Sequence, residues 1–265
     1  MADLINSAIE SATGLVDGLS VDGVRWIVPD WPAPSNIRAA SSLRSGGVSG
    51  AEYATLNLGD HVADGRAAVD ENRVRLQQAL ALPASPKWLT QVHGIDCIDA
   101  ASSAIGVEAD ASFTTQAGIV SVVLTADCLP VLLCDKQGTT VAAVHAGWRG
   151  LAAGVIESTI AAMGESQELM AWLGPAIGPQ QFEVGDEVRA AFIARDAVAV
   201  DAFAPARAGH WLADLYQLAR IVLKKQGVSN IYGGEWCTVS RPDDFYSYRR
   251  DGVTGRMATL IWMAG

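Results

Sequence analysis

The stretch GIVSVVLTADCLPVLLCDKQGTTVAAVHAGWRG, Gly118 to Gly150, decides how this chain folds. Two apolar runs, Ile119–Leu124 and Val131–Cys134, flank Ala126-Asp127-Cys128-Leu129. A third, Val141–Val144, ends on His145 and breaks into Gly147-Trp148-Arg149-Gly150. Short runs rich in Val and Leu, without polar alternation, are the pattern of strands buried on both faces. Cys128 and His145 then stand where strands hand over to loops, which is where a rigid sheet presents reactive side chains. Upstream, Trp88–His93 reads as another strand, ending on His93 just before Gly94.

Working outward, Val24–Val28 and Ile37–Leu43 read as strands, the first closed by Pro29. Ala67–Leu80 reads as a helix, with Val69, Val74, Leu76 and Leu80 partly in phase and Pro83 as its stop. Leu151, Val155, Ile156, Ile160 and Met163 recur at helical spacing. That helix begins after Gly150, and its N-terminus beside Arg149 is a candidate anion site. Met170–Leu173 is a further buried strand, Glu183–Phe192 and Ala213–Gln226 read as helices, and Met257–Met263 is a terminal strand. Interleaved strands and helices predict an α/β (α+β) fold with a mixed β-sheet flanked by helices. Residues 1–22 read as a poorly ordered lead-in, and 23–265 as a single catalytic domain.

Composition narrows the function. Half of the 265 residues are hydrophobic and 18% are charged, a globular balance. A net charge of −10 argues against nucleic acid, whose binding rests on Lys and Arg neutralising phosphates. Four cysteines without dense spacing make no disulfide framework, which fits a reducing, cytoplasmic setting. No run reaches the ~18 apolar residues of a spanning helix, so no membrane association is expected.

The chemistry-bearing residues are few. Of four histidines, His93 and His145 each precede a glycine by one or two residues, and Cys128 lies between them in the chain. Two imidazoles and a thiolate suit Zn²⁺, and three protein ligands leave a fourth position open, as catalytic zinc sites do. Their ligand atoms must then lie within about 5 Å of one another, given bonds of about 2.0–2.3 Å. The same residues also admit a Cys128 nucleophile with His145 as base, or two hydrogen-bonded imidazoles beside a buried thiol. Asp127 is placed to orient either assembly. Arg44, Arg149, Arg249, Arg250 and Arg256 are candidate phosphate or carboxylate clamps.

The segments Arg44–Ser49, Leu56-Asn57-Leu58-Gly59, Gln91–Gly94, Ala126–Pro130, His145–Gly150, Phe182-Glu183-Val184-Gly185 and Tyr248–Asp251 occur in this order. Together they resemble the bacterial YfiH family, also called the polyphenol-oxidase or laccase-domain family, over about residues 36–263. The resemblance implies a single-domain sandwich akin to cysteine-hydrolase toxins and a metal site, usually zinc, on His93, Cys128 and His145. It implies phosphorolysis of adenosine, inosine or methylthioadenosine, with adenosine deamination as a further activity. It also admits an editing amidohydrolase that removes a wrong amino acid from a peptidoglycan precursor, using metal-activated water or Cys128. The expected partners are a purine nucleoside and phosphate, and the expected state is a monomer or small homo-oligomer.

On this reading Cys128, His145, Asp127 and Arg149 are the catalytic candidates, with Asp127 or Glu183 as proton shuttle. Arg44, Asn57, Glu183 and Arg249 are the substrate-binding candidates, and Arg44 with Arg149 would hold phosphate. A multicopper oxidase takes about ten imidazole ligands, and this chain has four histidines in all. Oxidation by Cu²⁺ in the three-ligand site would therefore be incidental.

Overall fold

Side chains alternate across each long strand, and here both resulting faces are apolar, so the strands are buried on two sides. The computed structural model describes residues 14–15, 22–164 and 168–265. Its strands are β1 (Gly14–Leu15), β2 (Trp26–Val28), β3 (Ile37–Ser42), β4 (Cys97–Asp99), β5 (Ala111–Thr114), β6 (Val120–Thr125) and β7 (Leu129–Asp135). They continue as β8 (Val141–Ala146), β9 (Leu169–Leu173), β10 (Glu183–Gly185), β11 (Phe203–Pro205), β12 (His210–Ala213), β13 (Asn230–Gly233) and β14 (Met257–Met263).

Two sheets carry the architecture. The first has the order β1-β2-β3-β14-β6 and is antiparallel throughout. The second, β13-β9-β7-β8-β5-β4, is mixed, with parallel pairs only at its two edges. A small sheet, β10-β12-β11, lies apart. On β6, Val120, Val122 and Leu124 join Trp26, Leu260, Leu76 and Ala79 beneath the helix Arg66–Ala79. Val123 of the same strand points the other way, to Leu132, Ala143, Trp172 and Ile261 between the sheets. On β7, Val131 and Leu133 pack instead with Val155, Leu218 and Leu223 of the helices Val155–Met163 and Leu215–Lys225. The layers therefore run helix, sheet, sheet, helices.

The sequence-based elements hold with several corrections. Trp88–His93 is not a strand: Lys87 and Thr90 make isolated bridges, and His93 has a left-handed φ of 60°. The single helix expected after Gly150 is two, Trp148–Ala153 and Val155–Met163, broken at Gly154, whose φ is 113°. Helix starts at Trp148, with Gly147 as its N-cap. Glu183–Gly185 is a strand, and the helix begins at Asp186. Val74, counted in the apolar phase, is 48% exposed. The lead-in expected over residues 1–22 lies largely outside the described residues, although Gly14 and Leu15 pair with Val28 and Ile27. Among the described residues no helix is long and apolar enough to cross a membrane.

This layering makes a stability prediction. Leu132 is fully buried between the sheets. Leu132→Ala should lower the free energy of unfolding by about 2–5 kcal/mol through lost burial and the cavity left behind. Val74→Ala should stay within about 0.5 kcal/mol. Urea denaturation of the two variants checks both values.

Candidate functional site

The chain crosses from one sheet to the other between Thr125, the end of β6, and Leu129, the start of β7. Ala126, Asp127 and Cys128 make that crossing, and Asp127 takes a φ of 90° there. Leu129, Val131 and Leu133 point to the outer helices, so Cys128 falls in the alternate set, towards the space between the sheets. Pro130 pairs with His145 across the β7–β8 ladder, while Val144 and Ala146 face the helices. His145 therefore points to the same side as Cys128. His93 arrives from the loop Gln91–Gly94.

His93, Cys128 and His145 thus converge, with their ligand atoms all within 4.8 Å of one another. Cys128 Sγ lies 3.9 Å from His93 Nε2, and the two imidazoles meet edge to face at 4.8 Å between ring centres. His93 is exposed, Cys128 half-buried and His145 buried, so the group opens to one side. Gly147 is what leaves room for it. A Cβ at that position would come within 2.9 Å of Cys128 Sγ and 3.1 Å of His93 Cδ2.

Asp110, which sequence reasoning passed over, holds the assembly together. Its carboxylate is fully buried and accepts from the backbone N–H groups of Val92 (3.2 Å), His93 (3.0 Å) and Gly94 (2.6 Å). It also lies 2.7 Å from His145 Nδ1. That contact fixes the ring and leaves Nε2 for the cleft, the arrangement by which carboxylates orient metal-binding histidines. Burial alone would raise the Asp110 pKa; the bonds from His145, Gly94 and Val92 outweigh it and hold it below the usual range. The only sequence signal is a carboxylate flanked by two alanines, Ala109-Asp110-Ala111.

A cleft of about 370 Å³ surrounds the three residues, lined also by His61, Gln91, Tyr248 and Arg256. Its size lies at the lower end of the range for small-molecule sites. Gln91 is locked in place, its amide donating to Leu124 O (2.8 Å) and accepting from Leu124 N (2.7 Å).

The other expected site residues do not line this cleft. Asp127 accepts from Thr238 Oγ1 (2.5 Å) and from the Arg249 backbone N–H (2.6 Å), so both carboxylate oxygens serve to anchor the chain. Glu183 pairs with Arg207 at 2.8 Å on the small sheet. Arg44 donates to the carbonyls of Ala54 and Pro242 and stacks on Tyr246. Arg149 is exposed and lies over the Trp148 ring. Arg249 donates to the carbonyls of Gln181 and Glu183. Arg250 pairs with Asp251 and donates to the carbonyls of Thr238, Val239 and Phe245. Asn57 is buried and ties Gly59 to Arg256 through backbone N–H bonds to its Oδ1, each 2.9 Å. His61 lines the cleft, although the sequence marks it only as one of four histidines.

Without metal, the electrostatics favour a thiolate beside a charged imidazole. Burial opposes the Cys128 thiolate, but His145 and then His93 outweigh it and bring the thiol down to about 6. Burial likewise opposes charge on His145, yet Cys128 and Asp110 raise it to about 9. The thiolate's contribution to stability is thus lost as pH falls through about 6, and the imidazolium's as pH rises through about 9. In chelator-treated protein, alkylation of Cys128 by iodoacetamide should therefore stay fast down to about pH 6. His145→Asn should move that midpoint up towards the ordinary thiol value, about 8.5. Mass spectrometry of the modified peptide reads the rate.

Comparison with known proteins follows the same outline. Residues 38–264 match a protein family described as multi-copper polyphenol oxidoreductase laccase. A purine nucleoside phosphorylase of Pseudomonas aeruginosa is 53% identical over 240 residues, 90% of this chain and 98% of that one. Purine nucleoside phosphorylase YfiH of Escherichia coli is 52% identical over 239 residues, 89% and 98% of the two chains. The crystal structure of a Neisseria meningitidis protein superposes with a TM-score of 0.87 at 50% identity, covering 91% of this chain and 99% of that one. Among the described residues His93, Cys128 and His145 are the one group of three or more such side chains able to hold a metal ion. On the match over its length and on these relatives, the chain belongs to the YfiH, or laccase-domain, family.

Proposed function

We propose that this protein is a metal-dependent purine nucleoside phosphorylase whose reaction takes place in the cleft around Cys128. The observation that carries the proposal is the convergence of His93, Cys128 and His145 on one opening of nucleoside size. Relatives named as purine nucleoside phosphorylases, 52% and 53% identical, support it. Adenosine, inosine and methylthioadenosine are the substrates we assign.

The donor set fits a borderline-soft cation such as Zn²⁺, with Cu²⁺ as the stronger competitor for nitrogen and sulfur ligands. Those ligands would be His93, Cys128 and His145. When bound, such an ion supplies Lewis acidity to an oxygen or ring nitrogen of the reactants. The rest falls to the chain. Asp110 keeps His145 in one orientation and holds the backbone on either side of His93. Gln91 stiffens the wall by its paired bonds to Leu124. Tyr248, 61% exposed, offers a ring at the mouth where a purine could stack.

In phosphorolysis an oxygen of inorganic phosphate forms a bond to C1′ of the nucleoside as the C1′–N9 bond breaks. The purine leaves with the electron pair and takes up a proton, giving a sugar 1-phosphate and the free base. The sugar passes through an oxocarbenium-like state, as in glycoside cleavage. His61 is the imidazole of the cleft outside the proposed ligand set; burial and the neighbouring Arg256 hold its pKa below the usual imidazole value, so we assign it a hydrogen-bonding role towards the reactants. Deamination would need a general acid and base in the same place. With no Asp or Glu among the described residues that line the cleft, we rank deamination below phosphorolysis.

Inosine incubated with pure protein and phosphate should yield hypoxanthine only when phosphate is present, as followed by chromatography. Cys128→Ala and His145→Ala should lower the rate by at least about a hundredfold, in line with the loss of a metal site. Release of an amino acid from a peptidoglycan precursor, without phosphorolysis, would overturn the proposal in favour of an amidohydrolase. Asp110→Asn should keep the ligands but weaken metal affinity by about 10- to 100-fold, measured by competition with a chromophoric chelator.

A further inference from the structure

The cleft holds an arginine with no counter-ion. Arg256 sits just before β14 and lines the cleft with His61. Nη1 donates to the carbonyls of Thr254 (2.9 Å) and Gly255 (3.0 Å). Among the described residues Arg256 makes no ion pair, and no protein acceptor meets its Nε or Nη2. Burial weighs against its charge, and the chief offsets are Cys128 and Asp127. Asp127 is already taken by Thr238 and the Arg249 N–H. Cys128 belongs to the proposed ligand set. A partly buried guanidinium with free donors and no committed carboxylate is a cost that a bound anion removes.

The surroundings are built to keep it that way. Asp60, the carboxylate beside His61, is engaged by Arg73 at 3.3 Å. Asn57 Oδ1 accepts from the backbone N–H groups of both Gly59 and Arg256, and Leu58 N donates to Arg256 O at 3.2 Å. These bonds hold the turn carrying His61 against the stem of Arg256. Gly59 permits the contact, since a Cβ there would lie 2.7 Å from Arg256 Cγ and 3.4 Å from His61 Cε1. Arg44 and Arg149, the expected phosphate ligands, lie outside the cleft with partners of their own.

We infer that Arg256 and His61 form an oxyanion subsite in the cleft they line together with His93, Cys128 and His145, and that it takes inorganic phosphate. The assignment rests on the proposed phosphorolysis for its biological meaning, but not for its existence. Guanidinium offers paired donors to phosphate oxygens, and the imidazole adds one more. Asn57 is a positioning residue for this pair.

The test uses the full-length, metal-loaded protein and inorganic phosphate, with potassium chloride at equal ionic strength as control. Phosphate should raise the thermal midpoint of the wild type, and Arg256→Gln should abolish the rise. Arg256→Lys, which keeps charge and stem, should retain part of it. His61→Ala should weaken it, and carries the test if Arg256→Gln does not fold. In kinetic assays Arg256→Gln should raise KM for phosphate by about 10- to 100-fold, the loss expected for a charged hydrogen bond, with KM for inosine within about twofold. Equal phosphate-induced shifts in wild type and variants, or none in the wild type, overturn the subsite. A shift that depends on Arg256 in a protein that cleaves no nucleoside overturns the phosphorylase proposal and leaves the subsite standing. Phosphorolysis with unchanged KM for phosphate in Arg256→Gln does the reverse.

Discussion

The buried carboxylate of Asp110 is the constraint on which the site depends. It gathers backbone N–H groups from one loop and an imidazole from a strand, so one side chain sets the separation of His93 and His145. A buried anion is tolerated only when several donors replace the water it has lost. Here those donors belong to the site itself, so satisfying the charge and positioning the imidazoles are one event. The left-handed backbone of His93 is sustained by the same bonds.

The second constraint is topological. Cys128 sits where the chain leaves the antiparallel sheet and enters the mixed one, and the ladder between β7 and β8 puts His145 beside it. Leu132, Ala143, Trp172 and Ile261 fill the layer between the sheets, and the site opens where that layer ends. Gly147 keeps that opening clear. The terminal strand β14 lies between β3 and β6, so the first sheet is complete only when the two ends of the described chain have met. Arg256, at the start of that strand, reaches the cleft for the same reason.

The arginines show how a net charge of −10 coexists with a candidate anion site. Arg44, Arg249 and Arg250 spend their donors on carbonyls and on Asp251, tying loops that have no ladder of their own. Arg149 lies on an aromatic face at the surface. Arg256 differs in facing the cleft with donors left over. Composition counts these residues together, and only their partners separate them.

By itself the sequence determined the strands buried on two faces, a helix over Ala67–Leu80 and, through its ordered motifs, the family, with His93, Cys128 and His145 as the ligand set that resemblance implies. The strands and the helix follow from local signals, apolar runs and helical period. The tertiary structure alone decided that Asp110 holds the trio, that His93 stands in a loop instead of at a strand end, and that Arg256 and not Arg44 faces the cleft. Each of these is a choice of partner across the fold, as when Asn57 bonds Arg256 from 199 residues away. Hydrophobic periodicity is written in neighbouring residues, because burial depends on which face of an element a side chain occupies. Which donor meets which acceptor is written in distance through space, and no local pattern encodes that.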